Sequence, residues 1–141
     1  METTNSNVLI LRNDVSELTR VQLLLESLEA AGTLPAALLM PLNLVLEEAL
    51  TNIIFYAYEP GTSNDIKLEL TIYADHLDLT LTDSGKPFDP TASPDPDVNL
   101  SAEERPIGGL GIFLIRKLMD DVNYQRQNEH NILTMSKKIP S

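Results

Sequence analysis

Two residues in the stretch LVLEEALTNIIFYAY (44–58) have the type and spacing to do chemistry on a phosphate: Glu48 and Asn52. An asparagine carbonyl oxygen can ligate a hard cation such as magnesium, and a glutamate one turn away can accept a proton or orient a nucleophile. On a helix, Leu46, Ala49, Leu50, Ile53 and Ala57 fall on one apolar stripe. Glu48 and Asn52 then stack four residues apart on the other side, with Glu47 and Thr51 beside them. Taken alone, that pattern also describes a plain solvated helix face.

Two other stretches carry comparable potential. TDSGKPFDP (82–90) ends an alternating segment with Asp83-Ser-Gly85. An aspartate at a strand end can accept a hydrogen bond from an exocyclic amine, and a glycine there lets a flat ligand come close to the backbone. Read alone, Asp-Ser-Gly is an ordinary turn. IGGLGIFL (107–114) sends Gly108, Gly109 and Gly111 into a helical pattern, an arrangement that binds phosphate through backbone amides and the helix dipole, or that only allows tight packing. No Gly-Lys-Ser/Thr follows, so it is not a Walker A loop, and the spacing is not that of a dinucleotide fingerprint.

The elements that must position these residues are readable from periodicity. VLILR (8–12) predicts a strand. Asn13 or Asp14 can cap a helix over about 14–31, with Glu17 placed for a reciprocal contact and Gly32 as its stop. Pro35 opens a second helical pattern to about Tyr58, with a kink or a start expected at Pro41, and Pro60-Gly61 ends it. IKLELTIYAD (66–75) and HLDLTLTDSG (76–85) alternate as adjacent half-buried strands around Ala74-Asp75-His76. Residues 84–106 hold five prolines and no periodic apolar signal, the composition of a linker or disordered loop. Inside one small domain, however, a long loop often acts as a lid. A helix is expected over 107–122, then strands over 122–128 and 131–139 joined by a Glu129-His130 turn. This order predicts one α+β domain over 1–141: a two-layer α/β sandwich, its sheet mixed or mostly antiparallel, with a lid near 84–108. No internal repeat is present.

Composition narrows the function. A net charge of −11 argues against nucleic-acid binding, which needs clustered Lys and Arg. The absence of cysteine excludes disulfides, thiolate metal sites and a cysteine nucleophile. The N-terminus lacks the pattern of a secretory signal and no segment is expected to reach the length of a membrane span, so a cytoplasmic protein with no membrane partner is expected.

Glu-x-x-x-Asn on a helix, Asp-x-Gly after a strand pair and Gly-x-Gly opening a later helix, in that order, resemble the ATP-binding fold shared by gyrase, mismatch-repair proteins, heat-shock chaperones and histidine kinases. Within it, EEALTNIIFYAY, DSGKPFDP and GGLGIFLIRKLMDDVNY are similar to the RsbW/SpoIIAB-type anti-sigma factor serine kinases, over about residues 8–139. The resemblance implies that helices cover one face of the sheet and that the cofactors are ATP and Mg²⁺. It makes Glu48 the general base toward a serine on a partner and Asn52 the magnesium ligand. It assigns Asp83 to the adenine amino group, Gly85 to the space under the base, and Gly108, Gly109 and Gly111 to the phosphates. Thr134 is placed near the adenine. Arg105 and Lys117 are nearby cations that could assist, although a solvated surface is the commoner fate of either.

The implied partners are a sigma factor or equivalent regulator and an anti-sigma factor antagonist carrying the acceptor serine. A homodimer is a reasonable expectation from the family and the leucine-rich first helix. One departure is clear: many relatives carry a histidine soon after the asparagine, where this chain reads Ile53-Ile54-Phe55-Tyr56. Two rivals remain at this level. One is a nucleotide-binding partner switch without catalysis. The other is the catalytic domain of a two-component histidine kinase, disfavoured because His76 and His130 fall in expected turns rather than on a helical hairpin.

Overall fold

A computed structural model describes residues 3–59, 61–92 and 109–140. Gly108 and Arg105 lie outside the described residues, as does most of the stretch 84–108 beyond Ala92. Among the described residues, five strands and three α-helices are formed: β1 (Thr3–Arg12), α1 (Leu18–Ala30), α2 (Ala36–Asn52), β2 (Asp65–Tyr73), β3 (His76–Asp83), α3 (Gly109–Leu118), β4 (Asp121–Gln127) and β5 (His130–Lys138). The sheet order is β1-β2-β3-β5-β4 and every neighbouring pair is antiparallel. This is the antiparallel limit of the expected mixed sheet, because no helical crossover joins hydrogen-bonded strands in parallel.

Strict alternation decides which sheet face is covered. Ile66, Leu68, Leu70 and Ile72 of β2, Leu77, Leu79 and Leu81 of β3, and Leu133 and Met135 of β5 are buried in one cluster with the apolar stripes of all three helices. The opposite face carries partly exposed polar residues such as Thr71, Thr80 and Thr134. α2 is the central helix, touching α1 on one side and α3 on the other. Its Leu42, Val45 and Leu46 are fully buried, each worth about 1.5–3 kcal/mol of apolar transfer. Pro41 sits inside α2 and neither delays nor ends it; the helix simply forgoes one amide donor there. With the π-helical turn Ile53–Ala57 that continues it, α2 makes a 22-residue helix, Ala36–Ala57. By length and composition alone it could cross a bilayer, which corrects the expectation that no segment is long enough. Here the apolar length is the core of a two-layer domain.

Local signals account for the ends of the elements. The Asp14 carboxylate accepts from the Ser16 amide at 3.0 Å and caps a 3-10 turn, Val15–Glu17, that leads into α1. Glu17 reaches back to the Arg12 amide at 2.8 Å rather than to its cap. Gly32, at φ +79°, ends α1 in the left-handed conformation that glycine adopts without penalty. The described part of α3 runs from Gly109 and stops at Leu118, short of the expected end at 122. The last hairpin turns on Asn128 and Glu129, both at positive φ, so the turn lies one residue earlier than expected. That conformation is the one a two-residue hairpin needs to match strand twist.

Candidate functional site

The sheet register creates the site. Across the buried face, Leu11, Ile66, Asp83, Asn131 and Arg126 fall in one cross-strand row. The next row inward is entirely apolar apart from the Tyr124 hydroxyl: Leu9, Leu68, Leu81, Leu133 and Tyr124. Three of the strands thus change from apolar to polar at one end of the sheet, directly where α2 finishes. A narrow cleft opens there. Ala49, Asn52 and Ile53 line it from α2 and the π turn, Asp83 from β3, and Phe88 and Pro90 from the following loop. Ile115 closes it from α3, and Tyr124, Asn131 and Leu133 from β4 and β5.

The Asp83-Ser84-Gly85-Lys86 turn is held at every backbone group it presents inward. The Ser84 amide donates to the Tyr58 hydroxyl at 2.9 Å, and that hydroxyl donates to the Asp65 carbonyl at 3.2 Å. The Gly85 amide donates to Asp83 Oδ1 at 2.9 Å, and the Lys86 amide donates to the Ala57 carbonyl at 2.9 Å. On the other side, Arg126 Nη1 donates to the Gly85 carbonyl at 2.7 Å and Asn131 Nδ2 to the Lys86 carbonyl at 2.8 Å. The π turn presents the Ala57 carbonyl to the loop, a use of π geometry frequent at functional sites. A Cβ on Gly85 would lie 2.4 Å from that carbonyl oxygen. On the side where a Cβ would project, Gly85 is therefore closed by the end of the π turn.

Asp83 is buried, with 3% of its surface exposed. Burial pushes its carboxyl above the ordinary 3.8, while the Asn131 amide, the Gly85 amide and the Arg126 and His130 charges pull the other way. Its Oδ1 accepts from Gly85 and, at 2.9 Å, from Asn131 Nδ2; among the described residues Oδ2 accepts from none. Asn52 is the other exceptional group. Only 6% exposed at the cleft wall, its carboxamide makes no side-chain hydrogen bond among the described residues. An unpaired buried amide costs about 1–3 kcal/mol, so this one is available to a partner beyond the described residues. It suits magnesium, a hard cation that takes one or two protein oxygens and fills its shell with water and substrate phosphate oxygens.

Glu48 precedes Asn52 by one turn, rotated from it by about 40° in helix geometry; it is partly exposed and is not among the residues lining the cleft. Glu47 points away, toward Leu18 and Gln22 of α1. The Thr51 hydroxyl is spent on the Glu47 carbonyl at 2.8 Å. Of Glu47, Glu48, Thr51 and Asn52, only Asn52 lines the cleft. Gly109 and Gly111 lie at the start of the described part of α3.

One expectation is corrected. Thr134 does not reach Asp83: strand alternation puts it on the open face, between Thr80 and Asn123. Asn131, three residues earlier, is the β5 residue at the carboxylate. Lys117 is exposed and its ammonium rests 5.3 Å from the Phe113 ring centre, on the outer side of α3 from Ile115. Sequence reasoning missed Asn131, Arg126, Tyr124 and Phe88. Counting pairs outward from an Asn128-Glu129 turn would have set Arg126 opposite Asn131, but the turn was expected one residue later, and a slip of one changes every partner.

Residues 11–137 match the family model described as the histidine kinase-like ATPase domain. The serine/threonine-protein kinase BtrW of Bordetella bronchiseptica is 35% identical over 101 residues, covering 72% of this chain and 71% of that protein. The serine-protein kinase RsbW of Listeria monocytogenes is 39% identical over 85 residues, 57% of this chain and 54% of its own length. RsbW of Oceanobacillus iheyensis is 33% identical over 102 residues, covering 69% of this chain and 63% of that protein.

Proposed function

Because the chain belongs to the histidine kinase-like ATPase domain family, we propose that it is an ATP-dependent serine-protein kinase of the RsbW type. In this reading it sequesters a sigma factor or an equivalent regulator and phosphorylates a serine on an anti-sigma factor antagonist. Relatives named serine-protein kinase support the reaction class. The observation that carries the reading on this chain is the buried carboxamide of Asn52, without a side-chain hydrogen bond among the described residues, in the same cleft as Asp83.

Each residue then has a task. Asp83 accepts from the exocyclic amine of adenine through Oδ2. Asn52 offers its carbonyl oxygen to magnesium, which when bound neutralises the charge on the phosphate oxygens. The backbone amides at Gly109 and Gly111, with Gly108 before them, donate to phosphate oxygens. Glu48 accepts the serine proton as the serine oxygen bonds to the γ-phosphorus. The bond from that phosphorus to the β–γ bridging oxygen breaks, and ADP leaves with the pair. Positioning and charge neutralisation supply most of the rate in such a transfer. A cytoplasmic location and a second copy of the chain as partner accompany this reading.

The test is transfer of γ-labelled phosphate from ATP to a small antagonist domain carrying the acceptor serine. Wild type labels the serine. Glu48→Gln loses about 10²–10⁴-fold in transfer, the range typical of a general base, while its affinity for ATP stays within about twofold of wild type. Unchanged transfer by Glu48→Gln would remove Glu48 from the role of base. Labelled ATP bound but never transferred by wild type would make the chain a nucleotide-binding switch.

A further inference from the structure

We propose that Asn131 and Arg126 are positioning residues that present Asp83 as a pure acceptor, so that the cleft selects a 6-aminopurine over a 6-oxopurine. The proposal rests on the ATP-binding reading of the cleft and names what enforces its choice of base.

The Asn131 carboxamide is saturated. Its Nδ2 donates to Asp83 Oδ1 at 2.9 Å and to the Lys86 carbonyl at 2.8 Å. Its Oδ1 accepts from the Tyr124 hydroxyl, from Arg126 Nη1 at 3.2 Å and from the Phe88 amide at 3.4 Å. That pattern admits one amide orientation only, since the flipped form would set an oxygen against a carboxylate and an NH₂ among three donors. Arg126 secures it by donating from the same nitrogen to the Gly85 carbonyl, two residues beyond Asp83.

The consequence falls on Asp83 Oδ2. With Oδ1 held by two donors, Oδ2 faces the cleft as an acceptor and meets a 6-amino group as a hydrogen-bond partner. Against a 6-oxo group it sets lone pairs against lone pairs. A neutral carboxyl would invert this preference, because its proton can donate to a 6-oxo oxygen. Burial favours the neutral form, whereas the Asn131 amide, the Gly85 amide and the charges of Arg126 on β4 and His130 on β5 oppose it. The α2 side of the cleft contributes Ala49, Asn52 and Ile53, all uncharged. Base selection therefore depends on residues that need never touch the base.

The experiment measures binding of magnesium-ATP and magnesium-ITP, which differ at the 6-position, to the full chain between about pH 5 and pH 8. Wild type is expected to favour ATP by about 10–100-fold. Arg126→Gln and Asn131→Leu are expected to lose about tenfold of that preference, the loss growing as pH falls; Arg126→Lys, which keeps the charge, restores part of it. A merely structural role would weaken both nucleotides alike and leave their ratio unchanged. Arg126 is exposed, so Arg126→Gln decides the matter even where Asn131→Leu does not fold. Wild-type ratios in Arg126→Gln at every pH overturn the proposal while the ATP reading stands. Wild type that binds neither nucleotide overturns both.

Discussion

Asp83 and Asn52 are both buried polar groups, but they stand in opposite relations to the fold. Asp83 has its Oδ1 held by two donors and is still raised in pKa by burial. A carboxyl raised in the folded state binds protons more tightly there than in the unfolded chain. Its favourable contribution is complete below the ordinary value of 3.8 and is lost as pH rises through the folded value. Asp83→Asn removes that titration. Its melting temperature should therefore fall less than that of wild type as pH rises from about 4 toward neutrality, as calorimetry at stepped pH would show. The same substitution should abolish ATP binding, since an amide cannot repeat the carboxylate's acceptor role without reorientation. Asn52 is unsatisfied among the described residues and is expected to exchange stability for ligand. Asn52→Leu, of similar volume, should melt at or above the wild-type temperature without ligand, yet lose the magnesium-dependent part of ATP binding.

At the scale of elements, the decisive joint is between the π turn closing α2 and the turn closing β3. The Ala57 carbonyl, Gly85 and the Lys86 amide meet there with no room for a side chain. Gly85→Ala forces a Cβ into 2.4 Å of a backbone oxygen that cannot rotate away. It should cost about 1–3 kcal/mol, as overpacking of a tight site does, and should weaken ATP binding by moving Asp83. Denaturant titration read beside ATP affinity checks both effects; a stability unchanged from wild type would mean the joint opens freely. Because α2 carries Asn52 and β3 carries Asp83, this contact sets the distance between the residue assigned to metal and the residue assigned to base. Glycine was legible in the sequence as a point of close approach, but what approaches it was not.

For the molecule as a whole, the site lies at the rim where three layers of contact end together: sheet row, central helix and α3. Anything bound there bridges α2, β3, β5 and α3 and should stabilise them as one unit. Magnesium-ATP at about 100 times its dissociation constant should add about 2.7 kcal/mol. For a domain of this size that is a rise of several degrees in melting temperature. Chelating the metal should reverse the part that depends on Asn52. Scanning calorimetry with ATP, with and without chelator, checks this; an unshifted melting temperature would show that ATP does not bind the folded chain.

Local pattern alone was enough for much of this protein. Period-two alternation located four of the five strands to within a residue or two, period-3.6 stripes located α1 and α2, and Asp14 and Gly32 marked where α1 begins and ends. Those features rest on forces between residues near in sequence, so they are written in short windows. The pairing of Glu48 with Asn52 belongs to the same class, since four residues make one helical turn. The Asp83–Asn131–Arg126 row does not. It exists because β5 lies between β3 and β4, and because a turn at Asn128-Glu129 sets the register; a shift of one residue would have put Thr134's face, not Asn131's, against the helices. Contacts made across 40 or more residues depend on strand order and register, which no local window contains, and it is these that turned a plausible wet helix face into the wall of a cleft.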